Sequence, residues 1–164
     1  MNREALFDIA KAWFSGKGWT PHTFQLKTWT AFLQGKNGLL NAPTGSGKTY
    51  ALWMPVVLDY IKKNHSIALM VDQRVSEGEK INFFGKPALT TTLPAQLSIK
   101  YNLGILPVFI ERKNNDRFEI QFLDEINPKN FDNKVDLSKK LNEVLEKMVT
   151  RNPSQWIWSH NRWK

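Results

Sequence analysis

The sequence has no cysteine, which excludes a disulfide framework and any zinc or iron–sulfur site built on thiolates. Its three histidines, His22, His65 and His160, are scattered and make no metal-ligand spacing. No apolar run approaches the roughly 20 residues of a membrane span. The first residues have a helical pattern rather than the apolar centre of a signal peptide, so the chain is expected to carry no span or secretion signal of its own. Acid is also scarce: 15 Asp+Glu stand against 23 Lys+Arg, for a net charge of +8. The shortage is concentrated in residues 1–63, with 3 acids against 8 bases, whereas residues 64–164 are nearer balance. Such an excess favours an anionic partner: nucleic acid, nucleotide or a phosphate-bearing membrane surface.

What is present is the composition of a folded chain. At 164 residues, 41% hydrophobic and 23% charged, it suits one ordinary domain or two very small ones. Helical spacing of Leu6, Ile9, Ala10, Trp13 and Phe14 predicts a helix over 3–15, stopped by Gly16 and Gly18. Thr20-Pro21 predicts the start of a second helix running to about Gln34. Residues 38–42 read as a short buried strand, and a helix is expected from Lys48 to Ile61. The apolar run 66–71 reads as a strand buried on both faces, followed by a loop over 72–87. Thr91 or Thr92 caps a helix that ends near Tyr101-Asn102. Residues 105–122 read as a hairpin, with Phe118, Ile120 and Phe122 alternating with Glu119 and Gln121. The stripe Leu137, Leu141, Val144, Leu145 and Met148 predicts a helix over 136–150. The tail 156–164 is aromatic and basic.

The sharpest chemical motif is Ala42-Pro43-Thr44-Gly45-Ser46-Gly47-Lys48-Thr49, placed between an expected strand and an expected helix, as a Walker A loop requires. In such a loop backbone N–H groups wrap a polyphosphate and glycines let the backbone come close. Lys48 supplies a point charge for the outer phosphates, and Thr49 offers a hydroxyl to Mg²⁺. With Trp19-Thr20-Pro21, Phe24-Gln25, Trp29 and Gly38-Leu39-Leu40, the motif resembles the start of a superfamily 2 DEAD/DEAH-box helicase, nearest the ligase-associated large helicase-related group, over about residues 1–58. That resemblance implies ATP and Mg as cofactors and nucleic acid as partner. Thr44, Gly45, Ser46, Gly47, Lys48 and Thr49 would hold nucleotide, and Gln25 would read the adenine edge. A second-lobe arginine finger and a Walker B strand are not matched: Asp124-Glu125 ends a strand that alternates, whereas a Walker B strand is buried on both faces.

From about residue 62 a different likeness takes over. Asp72-Gln73-Arg74, Glu77-Gly78, Phe83-Phe84-Gly85-Lys86-Pro87-Ala88, Thr90-Thr91, Pro107-Val108 and the ending from Pro153 to Lys164 stand in order. Together they resemble the C-terminal part of the lipid A biosynthesis acyltransferases (lauroyl and myristoyl acyltransferases). The likeness implies acyl carrier protein as donor, an anionic Kdo-bearing lipid A precursor as acceptor, and the cytoplasmic face of the inner membrane as location. Asp72, Gln73, Arg74 and Arg162 are the motif residues carried over. That family's catalytic pair is a histidine followed five residues later by an acid. Here the fifth residue after His22 is Lys27 and after His65 is Met70, and His160 is too near the last residue, so no catalytic residue is assigned.

The fold class expected is α/β, with a mostly parallel or mixed sheet and flanking helices, built from two incomplete domain fragments, 1–61 and 62–164. Three functions follow. The first is an acyltransferase relative of lipopolysaccharide biosynthesis joined to a helicase-like ATP-binding segment; the others are an ATP-binding helicase fragment and a fusion remnant without function.

Overall fold

A computed structural model describes residues 3–163 except 44, 64, 76, 77, 115 and 160; the side chains of residues 3–6, 62 and 114 also lie outside the description. The chain divides into two compact units, 1–68 and 69–164, a few residues beyond the expected change at 61/62.

The first unit is helical. Helix α1 (Arg3–Ser15), α2 (Thr23–Leu33) and α3 (Lys48–Lys62) pack around Ala10, Phe14, Trp29, Met54 and Leu58. Four aromatic rings, Trp13, Phe14, Trp19 and Tyr50, meet edge-on or tilted at 5.3–6.2 Å between centroids, a geometry that adds to plain burial. Trp29 is sealed beneath them, and its indole N–H donates to the Tyr50 carbonyl at 3.2 Å. Helix α2 begins two residues later than Thr20-Pro21 predicts, with His22 rather than Thr20 as its N-cap.

The second unit is mixed. Hairpin β1 (Glu79–Phe83) and β2 (Lys86–Thr90) precedes α4 (Leu93–Tyr101); hairpin β3 (Val108–Asn114) and β4 (Arg117–Phe122) precedes α5 (Lys134–Arg151). Both sheets are two-stranded and antiparallel. The expected mostly parallel sheet is therefore corrected: the architecture is α and β mixed, with no parallel pair among the described residues. The expected strands 38–42 and 66–71 are irregular, with Leu39 97% and Met70 83% exposed. A strand buried on both faces needs a hydrogen-bonded neighbour on at least one side; without one its N–H and C=O groups turn to water.

The expected loop 72–87 is corrected as well, because it contains β1 and its turn. Phe84 and Gly85 both have positive φ, 51° and 74°, as the two-residue turn of a tight hairpin demands. Gly85 meets that demand without strain; Phe84 does so with its N–H bonded to the Glu146 carboxylate at 2.7 Å. The hairpin buries Ile81, Phe83, Ala88 and Thr90 on one face. The other expected elements form: α4 follows Thr92 and ends on left-handed Asn102, and Asn133 caps α5 through the N–H groups of Val135 and Asp136. A second core gathers Ala95, Ile126 and Leu137, with Ile105 bridging Ile126.

Candidate functional site

In the first unit the glycine loop turns directly into α3. Gly45 and Gly47 take φ of 80° and 83°, and Gly47 is the N-cap of the helix. Lys48 Nζ donates to the carbonyls of Ala42 and Pro43 at 2.6 and 2.7 Å, and Ser46 Oγ donates to Pro43 at 2.7 Å. Thr49 is exposed on the first turn, and Thr44 lies outside the described residues. Gln25 is 2% exposed: its Oε1 accepts from the His22 N–H at 2.8 Å and its Nε2 donates to the Gly47 carbonyl at 3.0 Å. A Cβ on Gly47 would stand 2.7 Å from that amide, so glycine is what lets α2 and the loop meet. Left-handed glycines and a lysine thus stand at the start of a 15-residue helix, whose first N–H groups have no intrahelical acceptor. Both ends of the Gln25 amide are bonded within the chain.

In the second unit buried polarity is concentrated on Arg162, which has no exposed surface. Its guanidinium stacks on Phe83, 4.2 Å from the ring centroid, and Nη2 donates to Thr90 Oγ1 at 3.1 Å and Asn142 Oδ1 at 3.2 Å. Asn142 in turn donates to the Asn82 carbonyl at 2.9 Å and to Thr90 Oγ1 at 3.1 Å. The Arg162 carbonyl accepts from the Leu89 N–H, and the neighbouring Trp163 indole donates to the Phe83 carbonyl at 3.1 Å. Nε and Nη1 of Arg162 have no hydrogen-bond partner among the described residues. Burial draws the guanidinium below its ordinary pKa, and the negative charge of Asp72 pulls it back. The fold thus brings Asp72 within electrostatic reach of Arg162, while Gln73 and Arg74 lie exposed in the segment before β1. Glu77, His160 and Lys164 lie outside the described residues.

A second polar cluster joins the β3–β4 ribbon to the end of α5. Glu111 is 8% exposed and accepts from Lys113 at 2.7 Å, Arg151 at 3.2 Å and Asn152 at 3.1 Å. The Lys113 hydrogen bond, then that of Asn152, holds the carboxyl below its ordinary pKa, and Lys113 is raised in return. Beside this cluster a groove of about 630 Å³ runs along α5, lined by Phe109, Phe122, Ile126, Phe131, Val144 and Met148 among others, with Lys140, Lys147 and Asp124-Glu125 also in its wall. Its walls are mostly apolar, and its two lysines share the lining with two acids, Asp124 and Glu125.

The family model described as bacterial lipid A biosynthesis acyltransferase matches residues 35–164, well over half of the chain. The chain belongs to that family. No curated protein matches it. The family match covers Asp72, Gln73, Arg74 and Arg162, and it also runs through the glycine loop and across the 61/62 boundary. Sequence reasoning singled out Arg162 in this acyltransferase-family chain and quoted Thr90 within the motif without giving it a site role, but missed Asn142 and Glu111. Asn142 had a readable signal, as a polar residue beside Leu141 in the apolar stripe of α5. Glu111 had none, because its partners Arg151 and Asn152 are some 40 positions away.

Proposed function

We propose that this chain carries the lipid-handling part of a lipid A biosynthesis acyltransferase, at the cytoplasmic face of the inner membrane, without performing acyl transfer by itself. The acceptor is an anionic Kdo-bearing lipid A precursor, and the donor class is acyl carrier protein. The observation that carries the reading is the family match over 35–164, in a sequence with no histidine followed five residues later by an acid. The groove beside α5 supports it by offering apolar walls to one amphiphile. The test is to mix the full chain with a Kdo-bearing lipid A precursor and acyl carrier protein loaded with laurate. Saturable precursor binding without an acylated product is expected. Absence of binding removes the reading, and appearance of product shows a catalytic base other than the family's histidine.

A second reading is favoured by the loop before α3. Its left-handed glycines and Lys48 fit a phosphate, which supports Mg·ATP binding by Gly45, Ser46, Gly47, Lys48 and Thr49. ATP would bring a polyphosphate to neutralise, and Lys48 would exchange its bonds to Ala42 and Pro43 for it. A titration of Mg·ATP into wild type and Lys48→Ala decides this: equal binding by both removes it.

A further inference from the structure

The two edges of the β3–β4 ribbon are treated differently. On the β3 edge the Gln155 side chain accepts from the Arg112 N–H at 2.9 Å and donates to the Arg112 carbonyl at 2.7 Å, as a neighbouring strand would. Arg112 therefore turns its main chain away from β4, which makes Arg112↔Phe118 a pair without mutual hydrogen bonds. Alternation along the ladder extends this to Ile110↔Ile120 and Val108↔Phe122. Phe118, Ile120 and Phe122 thus direct their N–H and C=O groups to the outer side of β4, and among the described residues nothing bonds them there. Their side chains are 56–67% exposed. The strand has neither the lysine nor the proline that commonly blunts a free edge.

The chain also holds the complement of that edge. Residues 66–71, Ser-Ile-Ala-Leu-Met-Val, have a strand's composition and no secondary structure, and no main-chain hydrogen bond among the described residues involves them. Ile67, Leu69 and Val71 are half-buried and alternate with exposed Ser66, Ala68 and Met70, the period of a strand. Within one chain the pairing is not made, since β4 has β3 as its strand neighbour. We propose that two copies of this chain form a closed dimer, in which residues 66–71 of each add as a third strand to the outer edge of β4 in the other. Each copy offers both surfaces, so one twofold axis satisfies both edges and both segments. Ile67, Leu69 and Val71 then continue the apolar row of Phe118, Ile120 and Phe122. Charge plays little part. The segment carries none, and residues 108–122 balance Arg112, Lys113 and Arg117 against Glu111, Asp116 and Glu119, with Lys113 already paired to both glutamates.

The test is sedimentation velocity of the full chain over a wide concentration range, at low and high ionic strength. A dimer is expected whose population does not fall with salt. Met70→Pro and Ile120→Pro each remove an N–H that is unbonded in the single chain, and each should raise the dimer dissociation constant about tenfold or more. Circular dichroism checks that each variant is folded; where a proline variant is not, Lys replaces Pro at that position. Because the chain has no cysteine, Met70→Cys and Ile120→Cys each place a single thiol. An equal mixture of the two, treated with a short bis-maleimide, should yield a linked dimer whose joined peptides hold residues 70 and 120. A monomer at every concentration overturns the proposal, as does a ladder of larger open assemblies or a dimer unmoved by every edge and segment variant. Cross-links that join only like thiols overturn it too. So does a monomeric Met70→Cys/Ile120→Cys double variant that links within one chain, since the pairing then lies inside a single copy.

Discussion

The two hairpins of the second unit have nearly the same length and pairing, yet one is core and the other is surface. In β1–β2, Ile81, Phe83, Ala88 and Thr90 are buried; in β4 every residue is exposed. Strand propensity does not separate them, since both carry alternating apolar residues. The difference lies in what is packed against each apolar face. The buried hairpin receives α5 through Asn142 and the tail through Arg162 and Trp163. The open ribbon offers α5 and the tail its polar face instead, through Glu111 and the backbone of Arg112. Alternation says that a strand has two faces; only the packing says which one is inside.

The largest expected effect breaks the contrast at its strongest point. Phe83→Ala removes a ring with no exposed surface that packs on Arg162, Trp156 and Trp163, and should cost about 3–5 kcal/mol in urea unfolding. Asn142→Ala comes next, because it takes the side-chain donor from the Asn82 carbonyl and leaves Thr90 Oγ1 as the guanidinium's remaining acceptor; the same experiment should show a loss of about 1–3 kcal/mol. On the open ribbon, Glu111→Gln should lower the thermal midpoint near neutral pH. The Glu111 carboxyl is held below its ordinary 4.5, so its contribution is present above that pH and fades as pH falls through the lowered value. Wild type and variant should therefore converge in acid. The smallest effect belongs to Phe118→Ala, whose ring is 57% exposed: a change within about 0.5 kcal/mol is expected. A loss as large as that of Phe83→Ala would show that the open face is covered in solution.

The local signals were legible. Apolar stripes place α1 and α5, the glycine loop announces α3, Thr91 or Thr92 and Asn102 bound α4, and the alternation of Phe118, Ile120 and Phe122 places β4. The missed elements depend on partners. Residues 38–42 and 66–71 have the composition of central strands but no strand to pair with among the described residues, so composition alone misplaced them. The first hairpin was missed for the opposite reason. Its two-residue turn uses Phe84 at positive φ, a position where Asn, Asp or Gly would have announced it, and the Glu146 carboxylate 62 residues away holds it there. The same logic applies to the site: Arg162 stood out within a motif, whereas Thr90, Asn142 and Glu111 gain their roles from contacts across long separations.

Those separations also set an order of events. Closing the buried hairpin requires Trp163 to find Phe83, 80 residues away, Arg162 to find Thr90, 72 away, and Asn142 to find Asn82, 60 away. Such remote contacts form late, because loop closure must precede any gain from them. The β3–β4 ribbon needs only a short turn and belongs to the microsecond events of about 1–10 μs. During folding the outward apolar ribbon is therefore assembled while Phe83 is still uncovered, and for that interval the unit presents two apolar hairpins to its surroundings. The last contacts made, those of Arg162 and Trp163, are the ones that reduce the two to one.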